Sequence, residues 1–374
     1  MILPRYYDKL DLYLKPNKAL IIYGPRQVGK TTLIKQFLLK TKLKYRLDSG
    51  DNIRIQHILG SQDFDQILEY ASGYNLIVLD EAQRIPNIGM GLKILIDQIP
   101  KIKIIATGSS SFELLGQVGE PLTGRKTTLT LFPISTIELC KSHTISEMKN
   151  ILVDQLIFGG YPEVLKVKRS EKPTILHSIV DSYLLKDILE LEKVKGSKIL
   201  LDLLRLLAFQ VGDEVSLTEI GNKLNIDSKT VARYIDLFEK SFVLFNLRGF
   251  SKNLRSEVTK KSKYYFYDNG IRNAIISNFN SLDLRDDVGR LWENFLVTER
   301  LKKQQYAKIY SNNYFWRTWN QQEIDWIEEK NGNINGYEFK YSDHRNRVPV
   351  EFKSAYPKAK VFLINKVNYL NFIA

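Results

Sequence analysis

Gly24-Pro25-Arg26-Gln27-Val28-Gly29-Lys30-Thr31 follows directly on the apolar run Ala19-Leu20-Ile21-Ile22-Tyr23. A short unbroken apolar run that ends at a glycine reads as a strand buried on both faces of a parallel sheet. After the loop, Leu33, Ile34, Phe37 and Leu38 recur at helical spacing. The pattern G-x-x-x-x-G-K-S/T between strand and helix is a phosphate-binding loop, and the setting is the one the motif needs. Its glycines let backbone amides close around phosphates without Cβ clashes, and the helix N-terminus adds a favourable dipole. Lys30 is expected at the β- and γ-phosphates of ATP and Thr31 on Mg2+. Gly24, Pro25, Arg26, Gln27, Val28, Gly29, Lys30, Thr31 and Thr32 are the expected nucleotide contacts.

A second apolar run, Leu76-Ile77-Val78-Leu79, ends in Asp80-Glu81. Ligands in such sheets bind at the C-terminal ends of the strands. Asp80 is therefore a candidate for the magnesium shell, and Glu81 for the group that orients or deprotonates the attacking water. An acid in that place also suits the start of the next helix. A third run, Ile102-Lys103-Ile104-Ile105-Ala106, leads into Thr107-Gly108-Ser109-Ser110-Ser111, a serine-rich loop that equally serves as a helix cap. Arg125, in Leu122-Thr123-Gly124-Arg125, reads either as a cation for transition-state charge, in its own or a neighbouring subunit, or as a surface arginine on a hairpin.

The chain of 374 residues exceeds what one hydrophobic core usually supports, so two or three domains are expected. No apolar run approaches the roughly eighteen residues a membrane helix needs, and MILPRYYDKLDLYL lacks the pattern of an export signal. Together with the single cysteine, Cys140, this predicts a cytoplasmic protein with no membrane contact. His57, His143, His177 and His344 stand at no metal-ligand spacing, which argues against zinc. The net charge of +13 invites a nucleic-acid reading, but the excess of basic residues is spread evenly along the chain. One stretch is locally basic: Lys240, Arg248, Lys252, Arg255, Lys260, Lys261 and Lys263 against Glu257 alone.

Three helical patterns precede that stretch. Ile199 to Phe209 is strongly apolar, Leu217 to Leu224 is amphipathic, and the segment from Asp227 keeps Val231, Ile235 and Phe238 on one face. Together they read as a helix-turn-helix. Phe242 to Leu247 and Tyr264 to Tyr267 then look like strands flanking a basic wing. Lys229, Thr230 and Arg233 are expected on the outer face of the third helix, a geometry suited to DNA and also to interdomain or protein contacts.

Farther on, Glu293 falls on a helical pattern, while Glu323-Ile324-Asp325-Trp326-Ile327 and Gly336-Tyr337-Glu338-Phe339-Lys340-Tyr341 are strand-like around the turn signal Asn331-Gly332-Asn333. Reflection about Gly332 sets Asp325 opposite about residue 339, and alternation puts Glu338 and Lys340 on one face. This order of acids and lysine resembles the PD-(D/E)xK nuclease superfamily, with isoleucine where proline would precede the aspartate. The resemblance implies that Glu293, Asp325 and Glu338 hold a second Mg2+ or Mn2+, with Glu323 an added ligand, and that Lys340 positions the water. Acids and lysines on exposed strand faces also form ordinary cross-strand pairs.

With GPRQVGKTTL, LIVLDEAQRIPN, ATGSSSFELL, LTGRKTTLTLFPISTIEL and FGGYPEVL in that order, nearly the entire chain resembles prokaryotic AAA-type ATPases of the switch-like STAND class that carry a conserved C-terminal region of unknown function. The resemblance implies that Ser109 or Ser110 ends the third strand as a nucleotide sensor. It also implies that Pro162 of Gly160-Tyr161-Pro162 lies near the adenine; from the residues alone, Gly159 to Pro162 is a turn. The fold expected is α/β: a P-loop NTPase parallel sheet (1–145), a helical lid (146–195), a winged helix (196–268) and a restriction-endonuclease-like domain (269–374). The function expected is an ATP-hydrolysing switch coupled to a module that acts on nucleic acid. The alternative is a regulator or scaffold, alone or as a homo-oligomer, whose inactive nuclease-like domain binds a protein partner or DNA.

Overall fold

The apolar runs become parallel strands: β1 (Lys18–Tyr23), β2 (Tyr45–Ser49), β3 (Leu76–Asp80), β4 (Lys103–Gly108) and β5 (Lys126–Thr130). The computed structural model describes residues 3–108, 116, 118–181, 197–251, 262–318, 320–342 and 349–374. Its contacts divide the chain into two units, Arg5–Phe132 with Lys240–Phe242, and Pro133–Glu239 with Val243–Ala374.

In the first unit the strand order is β2-β3-β4-β1-β5, and every neighbouring pair is parallel. Helix α1 (Lys30–Leu38) follows the loop after β1. Alternation sends Ala19, Ile21, Ile77, Leu79, Ile104 and Ala106 to one face. There they pack with Leu59 of α2 (Ile53–Gly60), Ile67 of α3 (Phe64–Ala71) and Leu92 and Leu95 of α4 (Ile88–Gln98). Leu20, Ile22, Val78 and Ile105 point the other way and are as fully buried. Burial on both faces is why these strands read as unbroken apolar runs. Because β4 lies between β1 and β3, its end stands between the phosphate loop and Asp80.

The second unit contains helices α5 (Ile145–Phe158), α6 (Lys172–Ile179), α7 (Ser197–Phe209), α8 (Leu217–Leu224), α9 (Ser228–Lys240), α10 (Asn269–Ile275), α11 (Val288–Ala307), α12 (Val350–Ala355) and α13 (Tyr369–Ile373). Its sheet joins β6 (Glu214–Val215), β7 (Leu244–Gly249), β8 (Ser262–Phe266), β9 (Asn312–Arg317), β10 (Glu323–Lys330), β11 (Asn333–Phe339) and β12 (Lys360–Ile364) in the order β12-β11-β10-β9-β7-β8-β6. Strand β7 pairs in parallel with β9 through Arg248↔Tyr314 and Gly249↔Phe315. The strand pair expected as a wing is therefore continuous with the C-terminal sheet, and the boundary expected after residue 268 falls inside that sheet.

The β10–β11 hairpin turns on two residues, Asn331 and Gly332, with φ of 52° and 75°. Two left-handed residues match the twist of the flanking strands, as a type I′ turn requires. The register runs from Trp326↔Tyr337 to Lys330↔Asn333, so the sequence expectation was one residue too long: continued by one pair, it sets Asp325 across from Glu338. The Gly159-Gly160 pair also has a physical reason. Asp268 caps α10 by accepting from the Ile271 amide at 3.1 Å, and its other oxygen accepts from the Gly160 amide at 2.7 Å. Gly159 has φ of 69°, and a Cβ there would lie 1.9 Å from the Asp268 carboxylate.

Asp287 sits at the start of α11 between two buried guanidinium groups. Arg272 donates to it at 2.5 Å and Arg285 at 2.7 and 2.8 Å. Burial favours the neutral acid, but Arg285 and Arg272 outweigh it and bring the carboxyl down to about 2. Since this lies below the unfolded value of 3.8, the stabilisation is present above that value and lost as pH falls through about 2. Asp287→Asn leaves both guanidinium groups buried without their carboxylate. A loss of about 3–5 kcal/mol in urea unfolding at neutral pH is expected, with a smaller difference from wild type at pH 2. Equal stability at pH 7 would remove this role.

Candidate functional site

The phosphate loop is built by the handover from β1 to α1. Gly29 is the N-cap of α1 with φ of 96°, no side chain caps the helix, and no atom lies within 4 Å of where its Cβ would be. The first amides of α1 thus have no side-chain cap at the positive end of the helix dipole. Buried Val28 anchors the loop to the core. Lys30 is 5% exposed, and its Nζ donates to the carbonyls of Gly24 and Pro25 at 2.8 Å each.

Thr31 Oγ1 donates to Asp80 Oδ2 at 2.7 Å, so a hydroxyl and a carboxylate from two elements meet beside the uncapped amides. This oxygen pair suits a small hard cation next to a triphosphate. Thr107, at the end of β4 and fully buried, donates to the other Asp80 oxygen and accepts from the Glu81 amide at 3.2 Å. Glu81 has φ of 50°, and its Oε2 accepts from Gln83 at 2.7 Å. A non-glycine residue held left-handed costs about 1–3 kcal/mol and clusters at functional sites.

The sequence reading chose Ser109 or Ser110 for the strand end; both lie outside the described residues. It passed over Thr107, although β4 delivers that residue straight to Asp80. Arg125 needs correction for its own subunit. It precedes β5, whose register Ala19↔Lys126 puts it at the edge where β1 begins, and it pairs with Asp97. Five residues of strand separate that level from Gly24, roughly 17 Å, which places Arg125 beyond reach of phosphates in the loop. Pro162 belongs to the other unit.

In the second unit, three elements bring four acids together and a fourth faces them with a lysine and a tyrosine. Glu293 comes from α11, Glu323 and Asp325 from β10, and Glu338 from β11, while β8 contributes Lys263 and Tyr265 two residues apart on one face. Lys263, 2% exposed, lies 3.3 Å from Glu293 Oε1 and pairs with Glu323 Oε1. Tyr265 donates to Glu293 Oε1 at 2.7 Å, and the Phe339 amide donates to Asp325 Oδ2 at 2.7 Å. Lys340, half exposed, is 3.6 Å from Glu338 Oε2.

Burial, then Glu293 and Glu338, pushes the Asp325 carboxyl well above its ordinary range. Burial also raises Glu338 despite Lys340. Burial opposes the charged form of Lys263, yet Glu293, Glu323 and Asp325 together hold its ammonium above the usual lysine range. The arrangement does not fit the metal site expected of Glu293, Asp325 and Glu338. Among the described residues, no group of three or more His, Cys, Asp or Glu side chains is disposed to hold a metal ion. Glu293 and Glu323 pair with Lys263 instead, and Glu338 lies beside Lys340.

Lys263 was read as part of a basic wing, and that is corrected: it is internal. A lysine beside the aromatic run Tyr264-Tyr265-Phe266-Tyr267 was the available signal, since lysines are almost never fully buried unless paired. Lys252, Arg255, Lys260 and Lys261 lie outside the described residues. On α9, Lys229 and Arg233 are exposed, while the Thr230 hydroxyl is engaged by Asp227 at 2.6 Å as part of the helix cap. No described helix is long and apolar enough to cross a membrane.

Three family models match the chain: an AAA domain over residues 16–140, a domain of unknown function (DUF8612) over 149–282 and a domain of unknown function (DUF4143) over 288–369. Similar curated proteins include an uncharacterized protein of Haemophilus influenzae, 25% identical over 80% of this chain and 78% of its own length. An uncharacterized protein of Mycobacterium tuberculosis is 25% identical over 86% and 70%, and one of Methanocaldococcus jannaschii is 24% identical over 85% and 74%. A chain in the structure of Drosophila ORC bound to AT-rich DNA and Cdc6 overlaps with a TM-score of 0.25 and 10% identity, covering 70% of this chain and 86% of that one. A likeness that loose bears on nothing further. Residues 16–140 thus match an AAA domain and carry a phosphate loop, the Asp80–Thr31 pair and five parallel strands.

Proposed function

We propose that the chain binds ATP with Mg2+ and hydrolyses it as a nucleotide switch whose second unit engages a macromolecular partner. The observation that carries this reading is the meeting of the Thr31 hydroxyl with Asp80 at 2.7 Å beside the uncapped N-terminus of α1. The amides from Gly24 to Thr32 cradle the phosphates, and Lys30 leaves the loop carbonyls to neutralise the β- and γ-oxygens. Thr31 and Asp80 hold Mg2+, which when bound spreads the charge of the transferring phosphoryl group. Glu81 orients the water and accepts its proton, and Thr107 fixes both Asp80 and the Glu81 backbone. Ser109 stays a second sensor candidate. Arg125 acts, if on a phosphate, on that of a neighbouring subunit.

Titration calorimetry with ATP, with and without Mg2+, alongside phosphate release, tests the proposal. Magnesium-dependent uptake and turnover are expected, and folded protein that takes up no adenine nucleotide ends it. Thr107→Val keeps the shape of the site and removes the hydroxyl. Turnover is expected to fall about ten- to hundredfold, the worth of one hydrogen bond to a charged group; unchanged turnover would show that Asp80 needs no such partner.

For the second unit we read α8, α9 and the β7–β8 pair as a winged-helix module and the remainder as a nuclease-like domain that holds its partner without cutting. The lysine inside the carboxylate cluster favours this over an active nuclease. Lys229 and Arg233 are the exposed cations of α9 placed for DNA phosphates. Replacing both with alanine is expected to weaken DNA binding about equally across sequences and to reduce the salt slope by about two. An unaltered salt slope would leave protein contact as the role of this face.

A further inference from the structure

Four carboxylates meet in the second unit, all of them from elements far from β8 in the chain. Like charges at this separation cannot all stay ionised without a counter-charge. In a metal-dependent hydrolase that counter-charge is a divalent cation held by the acids. Here Lys263 extends into the cluster from β8. Its ammonium contacts Glu293 from α11 and Glu323 from β10, with Arg317 a further 3.8 Å from the second oxygen of Glu323. The Phe315 ring lies 5.2 Å from Nζ and closes one side. Tyr265, two residues along the same strand, fills the remaining approach to Glu293 Oε1.

From this geometry we infer that Lys263 is a resident cation, which stands in for the metal ion the carboxylate cluster would otherwise need and makes the cluster an internal polar brace rather than a metal centre. The inference rests on the nuclease-like reading of this domain and gives it a definite chemistry: the acids are neutralised from within. An ammonium offers three directed donors and no exchangeable water, so it supplies neither a bound hydroxide nor a bridge to a scissile phosphate. The brace instead ties β8, α11 and β10 together, and its removal leaves acids buried without compensation.

Mn2+ binding to the full chain, followed by electron paramagnetic resonance, tests this in wild type, Asp325→Asn, Lys263→Met and Lys263→Met/Asp325→Asn, with thermal unfolding in parallel. Expected are no difference in Mn2+ uptake between wild type and Asp325→Asn, a lower Tm for Lys263→Met without metal, and recovery of that Tm with uptake of about one further Mn2+. The double variant should lose the extra ion. Uptake by wild type that Asp325→Asn abolishes overturns the inference, as does a Lys263→Met chain that folds without gaining Mn2+ or stays unfolded even with Mn2+. Incubation of wild type with DNA and Mn2+ separates the two levels. Uptake at Asp325 without cleavage overturns the resident cation alone, whereas cleavage that depends on Asp325 overturns the non-cutting reading as well.

Discussion

Glu81→Gln is expected to bind ATP as wild type does and to release phosphate about 10²- to 10⁴-fold more slowly, the usual worth of a general base. The substitution keeps the size of the side chain and its capacity to accept from Gln83, and Glu81 makes no contact with the phosphate loop among those described. Binding should therefore be spared, because the cradle consists of the α1 amides, Lys30 and the Thr31–Asp80 pair. What the amide cannot do is take a proton from water. Calorimetry and a phosphate-release assay on the same preparation read the two effects separately. Normal turnover would remove Glu81 from the chemistry, and loss of affinity would make it part of the binding site.

Lys30→Ala is expected to weaken ATP binding a hundredfold or more, on the order of 3 kcal/mol, as a charge-assisted contact to phosphate is lost. The lysine has two roles in succession. Its ammonium donates to the carbonyls of Gly24 and Pro25, and in the proposed ATP complex the same charge is expected on the phosphates. A Lys30→Arg chain separates these roles, because guanidinium keeps the charge with a shape that does not suit the same two carbonyls. Calorimetry should show partial recovery of affinity for the arginine variant. Full affinity in the alanine variant would mean that the amides alone hold the triphosphate.

The features legible in the sequence were those encoded within a few residues. The phosphate loop announces itself because glycine, lysine and threonine are needed at fixed offsets between one strand and one helix. The position of Asp80 and Glu81 at a strand end was legible because a buried parallel strand ends where its apolar run ends. For Arg125 the reading left its own subunit, a neighbouring subunit and a plain surface role open, and the strand removes the first: a residue just before a parallel strand lies at the opposite edge from one just after it. Thr107 was overlooked because the strand runs two residues past Ala106. The β10–β11 register slipped by one because Asn331 joins Gly332 in the left-handed region, and such sharing is settled by strand twist. Lys263 was out of reach of local reading, since its partners Glu293 and Glu323 lie 30 and 60 residues away in the chain.

The parallel seam between β7 and β9 bears on how this protein tolerates being cut. A fragment beginning after residue 268 would carry α11 and β9 to β12 but lose β7, β8 and Lys263. Strand β9 would then present a bare hydrogen-bonding margin, ready to recruit another chain, and four acids would stand in the interior with no internal base. Dissection at that point should yield sticky, acid-burdened material, whereas a cut farther upstream, ahead of β6, keeps the margin sealed. The hairpin and the sheet it extends form one continuous piece.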